Sequence, residues 1–589
     1  MNPRVRIVVP AALVSVLALT ALPAAGSESD GGQSQLGKIN HIVVIYQENR
    51  SFDSLYGGWE GVNGLTNAPS SKTLQVSQAG ASYSCLLQND VNLTTPPLAR
   101  VCSGTKANGA SFDSHFTHAP FHIDDFIKPS DTTCPAPGVF APVGVPNGSG
   151  QPGGCTRDIV HRYYQEQYQL HGGQQNRYVT GSDAAGLALG VLDTRSLPIY
   201  DYLHQEDHPA YAIADNFFQG AFGGSFLNHQ WLVAAGTPVW RGADGSAAVN
   251  DGSGSDLHSV VDANGMPNNY DLYASPLGSN ASPTGPKDGA LTASCTPPFP
   301  RPATPEGVVC GDYAVNTIQP VNQPYQPGTG IARRLPALTA PNIGDRLSAN
   351  NIDWAWYSGG WDNAAGNTAS QWYTNGSGPT CADPHHYSIP VNATYPNCPD
   401  QLFMFHHQPL NYFANYAPGT TARAQHLRDE GEFVQLATSS TNQQCNLKSV
   451  SFVKPIGEQN EHPGYTSENP GSEHLVQLLQ AIEGSACRRD TMVVVTYDEF
   501  GGQWDHVTPP GQGGAAGPHD QWGPGTRIPA LIIAPRLPGD FVVDSTQHDT
   551  TSILATIEHR FGLAPLSSRD AAVNDLSNVF AAKQIEATP

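Results

Sequence analysis

The chain has 589 residues, enough to bury a large core, and carries 29 Lys+Arg against 51 Asp+Glu for a formal net charge of -22. Such an acidic balance argues against nucleic acid as the main partner and favours solubility outside the cell. Gly (60) and Pro (49) are abundant but unperiodic, which points to long structured loops more than to disorder.

Taken in order, the chain opens with Arg4 and Arg6, an apolar stretch Ile7–Leu22, and small residues Ala24, Ala25 and Gly26, the pattern of an export signal. The apolar stretch is short for a membrane span and is interrupted by Pro10, and no later run is long enough to cross a bilayer. Cleavage after residue 26 removes two basic and no acidic residues, leaving 27 against 51 and a net charge of -24. An exported chain, periplasmic or secreted, explains the ten cysteines as disulfides. They fall in neighbouring pairs, so the expected bridges are Cys85–Cys102, Cys134–Cys155, Cys295–Cys310, Cys381–Cys398 and Cys445–Cys487. This is one of roughly nine hundred connectivities. No CxxC spacing supports a structural zinc site.

Ile39–Tyr46 reads as a first buried strand, followed by Glu48 and Asn49, two oxygen donors at its carboxyl end. Arg50 is expected to support the structure as partner of a carboxylate, and Asp53 to cap a helix. Residues 60–155 lack sustained periodicity and form an insertion. Asp158–Leu170 has helical character, with His161 in its first turn. Tyr211–Phe218 is a further strand. Gly223 and Gly224 then permit close backbone approach, and Ser225 opens an apolar helix. A serine there is either an N-cap or a nucleophile whose anionic target sits on free backbone N–H groups. Asn228 and His229, one turn on, are candidates to support the site in the second case.

A second insertion covers about 241–400, broken by a strand at Asn351–Tyr357. His406 and His407 are adjacent amid aromatics, either packed neutral or donors to an anion. Val450–Pro455 is another strand, followed by His462 in GEQNEHPGY. A helix at Ser472–Gly484, with Ser472 as candidate N-cap, leads into the strand Met492–Tyr497. That strand–helix–strand order is a crossover unit of a parallel sheet. Asp498 and Glu499 end the strand, Gly501 and Gly502 turn the chain, and Asp505 and His506 return ligand-type side chains to the same place. Arg527–Pro535 is one more buried strand and Thr550–Gly562 a closing helix. In open α/β sheets ligands bind beyond the carboxyl ends of the strands, where paired carboxylates suit a hard divalent cation. The bland alternative is a solvated acidic turn.

Metal-type oxygens at two strand ends, a serine after two glycines, and several histidines fit phosphate ester hydrolysis through a phosphoserine. Five ordered motifs, QENRSFDSLYG, FGGSFLNHQWL, FHHQPLNYFANYA, GEQNEHPGY and VTYDEFGGQWDHVTPP, resemble the bacterial phosphoesterase family of secreted acid phosphatases and phosphatidylcholine-type phospholipases C. The resemblance spans about 40–562. It implies an alkaline-phosphatase-like three-layer α/β/α sandwich with a mostly parallel central sheet, one domain over 36–589 with long Cys-bearing insertions.

The resemblance further implies that Glu48, Asn49, Asp498 and Glu499 hold one divalent ion, with Ser225 as nucleophile and additional ligand. His161, His406 and His462 would contact phosphoryl oxygens, and His407 would be the general acid. Magnesium, calcium, manganese and zinc all remain open. Serine in the FGGS setting looks like the acid phosphatase branch, so small phosphate monoesters are the first expectation. Phospholipid head groups are the second, with Trp231 and Trp240 available to a lipid. A non-catalytic binding protein of the same fold is a third.

Overall fold

The computed structural model describes residues 29–77, 79–86, 101–105, 111–125, 158–182, 185–239, 314–326, 329–331, 334–365, 403–464 and 468–585. The expected export signal, most of both expected insertions, Trp240 and the expected pairs Cys134–Cys155, Cys295–Cys310 and Cys381–Cys398 lie outside them. The other two expected bridges, Cys85–Cys102 and Cys445–Cys487, are formed.

Strands drawn from residue 41 to residue 584 enter one nine-stranded sheet. In chain order they are β1 (His41–Gln47), β2 (Tyr211–Ala214), β3 (Trp354–Ser358), β4 (Leu427–Asp429), β5 (Val450–Lys454), β6 (Thr491–Tyr497), β7 (Ala530–Ile533), β8 (Phe541–Asp544) and β9 (Lys583–Gln584). Their spatial order is β4-β3-β5-β1-β6-β7-β2-β8-β9. The five strands from β4 to β6 are mutually parallel, β7 is reversed, β2 and β8 run with the first five, and β9 is reversed.

The central strands are apolar and β-branched because both of their faces are covered. Every residue of β6, TMVVVTY, is buried, and in β1 only His41 is partly exposed. Burying each such Val or Ile contributes about 1.5–3 kcal/mol relative to exposure. The covering helices form two packed groups. One holds α3 (Glu430–Thr438) against α4 (Glu468–Glu483); the other holds α2 (Ser225–Ala234) against α5 (Thr551–Phe561). Sheet and helices make the three-layer α/β sandwich with a mostly parallel sheet that the sequence led us to expect.

Four local expectations need correction. Tyr211–Phe218 is not one strand: β2 ends at Ala214, and Phe217–Phe218 pairs separately with His548–Asp549. The helix expected from Asp158 is α1, Tyr163–Leu170, so His161 precedes it by two residues. Ser472 is not an N-cap, because α4 already begins at Glu468; its hydroxyl accepts from the Ile199 N–H at 3.0 Å. Asp53 caps nothing. Ser51 caps that short helix, and Asp53 is instead buried against His506 and Arg527.

Candidate metal centre

Parallel pairing of β1 with β6 brings Gln47 opposite Tyr497, so Glu48 and Asp498 leave the sheet side by side. The Asp498 N–H donates to the Gln47 carbonyl at 3.1 Å, and the Asn49 N–H donates to Asp498 Oδ1 at 3.0 Å. The two strand ends are thereby stitched together. Asn49 adopts a left-handed backbone (φ 58°), which asparagine tolerates better than most residues. Gly501 (φ 63°) lies so close that a Cβ would stand 2.5 Å from the Asn49 carbonyl oxygen.

Ser225 is the first residue of α2. The helix is capped by Gly224 without any side-chain hydrogen bond, so the N-cap reading of Ser225 fails. Its hydroxyl points instead at Glu48 Oε2, 3.3 Å away, and at Asn49 Oδ1, 3.5 Å away. The preceding loop is held by a residue that sequence reasoning passed over. Glu166, buried on α1, accepts from the N–H of Gly223, from Gln219 Nε2 at 2.9 Å, and from the N–H and Oγ1 of Thr526 at 2.7 and 2.8 Å. Burial pushes its carboxyl up to about 7.

The histidines gather around the same turns. His462 Nδ1 lies 2.7 Å from the Pro463 carbonyl, and its Nε2 faces the Asn49 amide at 3.0 Å. His161 Nδ1 lies 2.6 Å from the Ile159 carbonyl; its Nε2 is 3.4 Å from Asn49 Nδ2 and 3.6 Å from Glu499 Oε1. His407 Nδ1 is 3.1 Å from Glu48 Oε1. His406, half-buried, sets its ring edge-on to His407 with centroids 4.3 Å apart.

Two further residues belong to this cluster. His229 is fully buried, stacks on His407 at 4.9 Å, donates through Nδ1 to the Ser225 carbonyl at 2.8 Å, and places Nε2 3.5 Å from Glu48 Oε1. Lys454, the last residue of β5, pairs with Glu48 Oε1 and donates to the Tyr46 carbonyl at 2.9 Å. The signal for Lys454 was a cationic residue at the carboxyl end of a buried strand, the same position that drew attention to Glu48 and Asp498.

Electrostatics gives this arrangement a direction. Burial, then the Asp498 charge, pushes both Glu48 and Glu499 well above the ordinary carboxylate range, although Lys454 pulls Glu48 back. Burial depresses His407, His462 and His229; neighbouring histidines push His407 and His462 further down, and Lys454 does so for His229. Three adjacent buried carboxyl groups therefore face neutral imidazoles and one ammonium. A divalent cation relieves that repulsion. Asp498 Oδ2 and Glu499 Oε1 are buried with no hydrogen-bond partner among the described residues, and hard oxygen donors of this kind fit such an ion. The other Glu499 oxygen accepts from the Gly501 N–H at 2.6 Å.

Asp505 and His506 do not join this centre. With Asp53 they form a separate buried group already paired with Arg527, whose guanidinium lies 3.0 Å from Asp53 Oδ1 and 3.1 Å from Asp505 Oδ2. Trp231 is buried, donates to Thr237 Oγ1 at 3.1 Å and stacks against Arg569, so it offers no surface to a lipid.

Comparison with known proteins places the sequence in a family. A model described as "Phosphoesterase family" matches residues 39–564. Phospholipase C B of Mycobacterium tuberculosis is 35% identical over a stretch covering 23% of this chain and 29% of the relative. Non-hemolytic phospholipase C of Pseudomonas aeruginosa is 28% identical, covering 23% of each. The chain thus spans less than a third of the length of these curated relatives. Among solved structures, a phosphonate monoester hydrolase of Agrobacterium radiobacter aligns with 11% identity over 66% of this chain and 72% of its own, at a TM-score of 0.25 that carries no weight here.

Proposed function

The chain belongs to the Phosphoesterase family, and on that premise we propose that it is a metal-dependent phosphoric ester hydrolase acting on phosphate monoesters through a phosphoserine at Ser225. The observation that carries this reading is the uncapped Ser225 hydroxyl, 3.3 Å from Glu48 Oε2 and 3.5 Å from Asn49 Oδ1 at the mouth of a helix. Glu48, Asn49, Asp498 and Glu499 would hold one divalent ion, with Ser225 as a further ligand. When bound, that ion supplies a lowered hydroxyl pKa and positive charge for the phosphoryl oxygens.

The chain's own groups do the rest. Ser225 gives up its hydroxyl proton to solvent, and its Oγ attacks phosphorus as the bond to the leaving oxygen breaks. His407 Nε2, buried and without a hydrogen-bond partner among the described residues, gives that oxygen its proton. With Nδ1 directed at Glu48, a proton on Nε2 makes this ring an imidazolium, and burial opposes that form. Low pH and the incoming anion both favour it, which accords with an acid phosphatase. Water then attacks the phosphoserine and passes a proton to His407; the bond from phosphorus to Oγ breaks, phosphate leaves, and the Ser225 oxygen takes a proton back from solvent. His161, His406 and His462 are proposed to contact the phosphoryl oxygens, and the positive end of α2 favours the same anion.

A second reading, phospholipase C, is favoured by the names of the aligned relatives. Serine in the FGGS loop and the burial of Trp231 weigh toward a small phosphate monoester. No helix among the described residues is long and apolar enough to cross a membrane, and the two formed disulfides suit an exported protein. An aryl phosphate and phosphatidylcholine, each assayed with and without chelator, separate the readings. Chelator-sensitive hydrolysis of the aryl phosphate alone is expected. Hydrolysis of phosphatidylcholine alone would replace the first reading with the second.

A further inference from the structure

Glu48 divides its two oxygens between two environments. Oε2 faces the Ser225 hydroxyl, where the proposed ion would bind. Oε1 faces away, toward His407 Nδ1 at 3.1 Å and His229 Nε2 at 3.5 Å, with the two imidazole planes nearly parallel. Ligand atoms of Glu48, His229 and His407 all lie within 4.8 Å of one another. One carboxylate and two imidazoles at that spacing form a common donor set for a divalent transition metal. Lys454 already pairs with this same Oε1. Its side chain is buried, and a second bond to the Tyr46 carbonyl fixes the ammonium in place.

We propose that Lys454 is the built-in second cation of this centre. By holding Glu48 Oε1 it keeps a second divalent ion out of the Glu48–His229–His407 group and restricts the site to a single ion. The inference rests on the metal-dependent reading above and specifies how many ions that site accepts. The argument is one of charge and space. The ammonium occupies one lone-pair direction of this oxygen and sets its charge within a few ångströms of any ion bound beside it, and like charges repel strongly in a buried setting. A lysine supplies a single positive charge that cannot dissociate from the chain, whereas a metal ion is lost by mass action. Removing the ammonium leaves three donors facing one buried position.

The test counts Mn2+ ions in the full-length protein by calorimetric titration and elemental analysis, with electron paramagnetic resonance reporting whether two ions share a ligand. Wild type is expected to bind one ion with an uncoupled spectrum. Lys454→Met is expected to bind two with an exchange-coupled spectrum, because both ions would touch Glu48. Lys454→Arg retains the charge and should stay at one, and His229→Ala added to Lys454→Met should return the count to one. Should Lys454→Met not fold, Lys454→Gln takes its place.

A single ion in the uncharged variant overturns the proposal, as does a second ion without coupling, or a coupled pair in wild type. A wild type that binds no ion refutes the metal-dependent reading itself, and this inference with it.

Discussion

Replacing Glu166 by glutamine tests whether one buried carboxylate holds the Ser225 loop. Each oxygen accepts from two donors: one from the Thr526 N–H and Oγ1, the other from the Gly223 N–H and Gln219 Nε2. Glutamine offers one acceptor oxygen, so either the Gly223 or the Thr526 backbone N–H is left buried and unpaired, at a cost of about 1–3 kcal/mol. Against this, the wild-type carboxyl is raised from 4.5 to about 7 by burial. A raised carboxyl pKa stabilises the fold fully below the unfolded value and loses that contribution as pH rises through the folded one. A shift of this size corresponds to about 3 kcal/mol lost between pH 4.5 and 7.5. Glutamine has no such titration.

Glu166→Gln should therefore be the less stable protein at pH 4.5, and its deficit should shrink by about 3 kcal/mol by pH 7.5. Denaturant unfolding of both proteins at the two pH values measures this. A deficit that is the same at both would refute the reasoning. Turnover should fall at both pH values, because the Gly223 contact orients the loop that presents Ser225.

Other outcomes follow from the same contacts. Ser225→Ala should fold normally, lose turnover and fail to trap labelled phosphate after an acid quench; a labelled variant would remove Ser225 from the reaction. Asp498→Asn should lose metal and activity together, measured by elemental analysis beside the assay. Arg527→Met leaves Asp53 and Asp505 buried without their guanidinium, and should cost about 3–5 kcal/mol in denaturant unfolding. Opening the Cys445–Cys487 bridge with a double serine substitution releases a loop of 42 residues, worth about 4 kcal/mol by chain entropy.

Much of this centre was legible because its parts announce themselves locally. Runs such as VVVTY fix a strand buried on both faces, and the acidic residues that follow have few places to go except the sheet's carboxyl edge. Glu48 and Asp498 could be paired in advance because parallel strands end together. What escaped was what depends on packing between distant segments. Glu166 reads as an ordinary helix residue until Gly223 and Thr526 are seen to lean on it. Lys454 matters only because β5 lies beside β1. Asp505 and His506 misled for the converse reason: they follow Asp498 closely in sequence, but Arg527 and Asp53 draw them into another charge cluster. Ser472 misled because α4 begins a turn earlier, at Glu468.

The most direct test of the central claim is an anomalous-scattering map from crystals of the protein while it is active against a phosphate monoester and loaded with a single metal. We expect one peak, within bonding distance of Glu48, Asn49, Asp498 and the Ser225 hydroxyl. An active, metal-loaded protein whose peak lies elsewhere, or whose Ser225 hydroxyl stands clear of the ion, would contradict it.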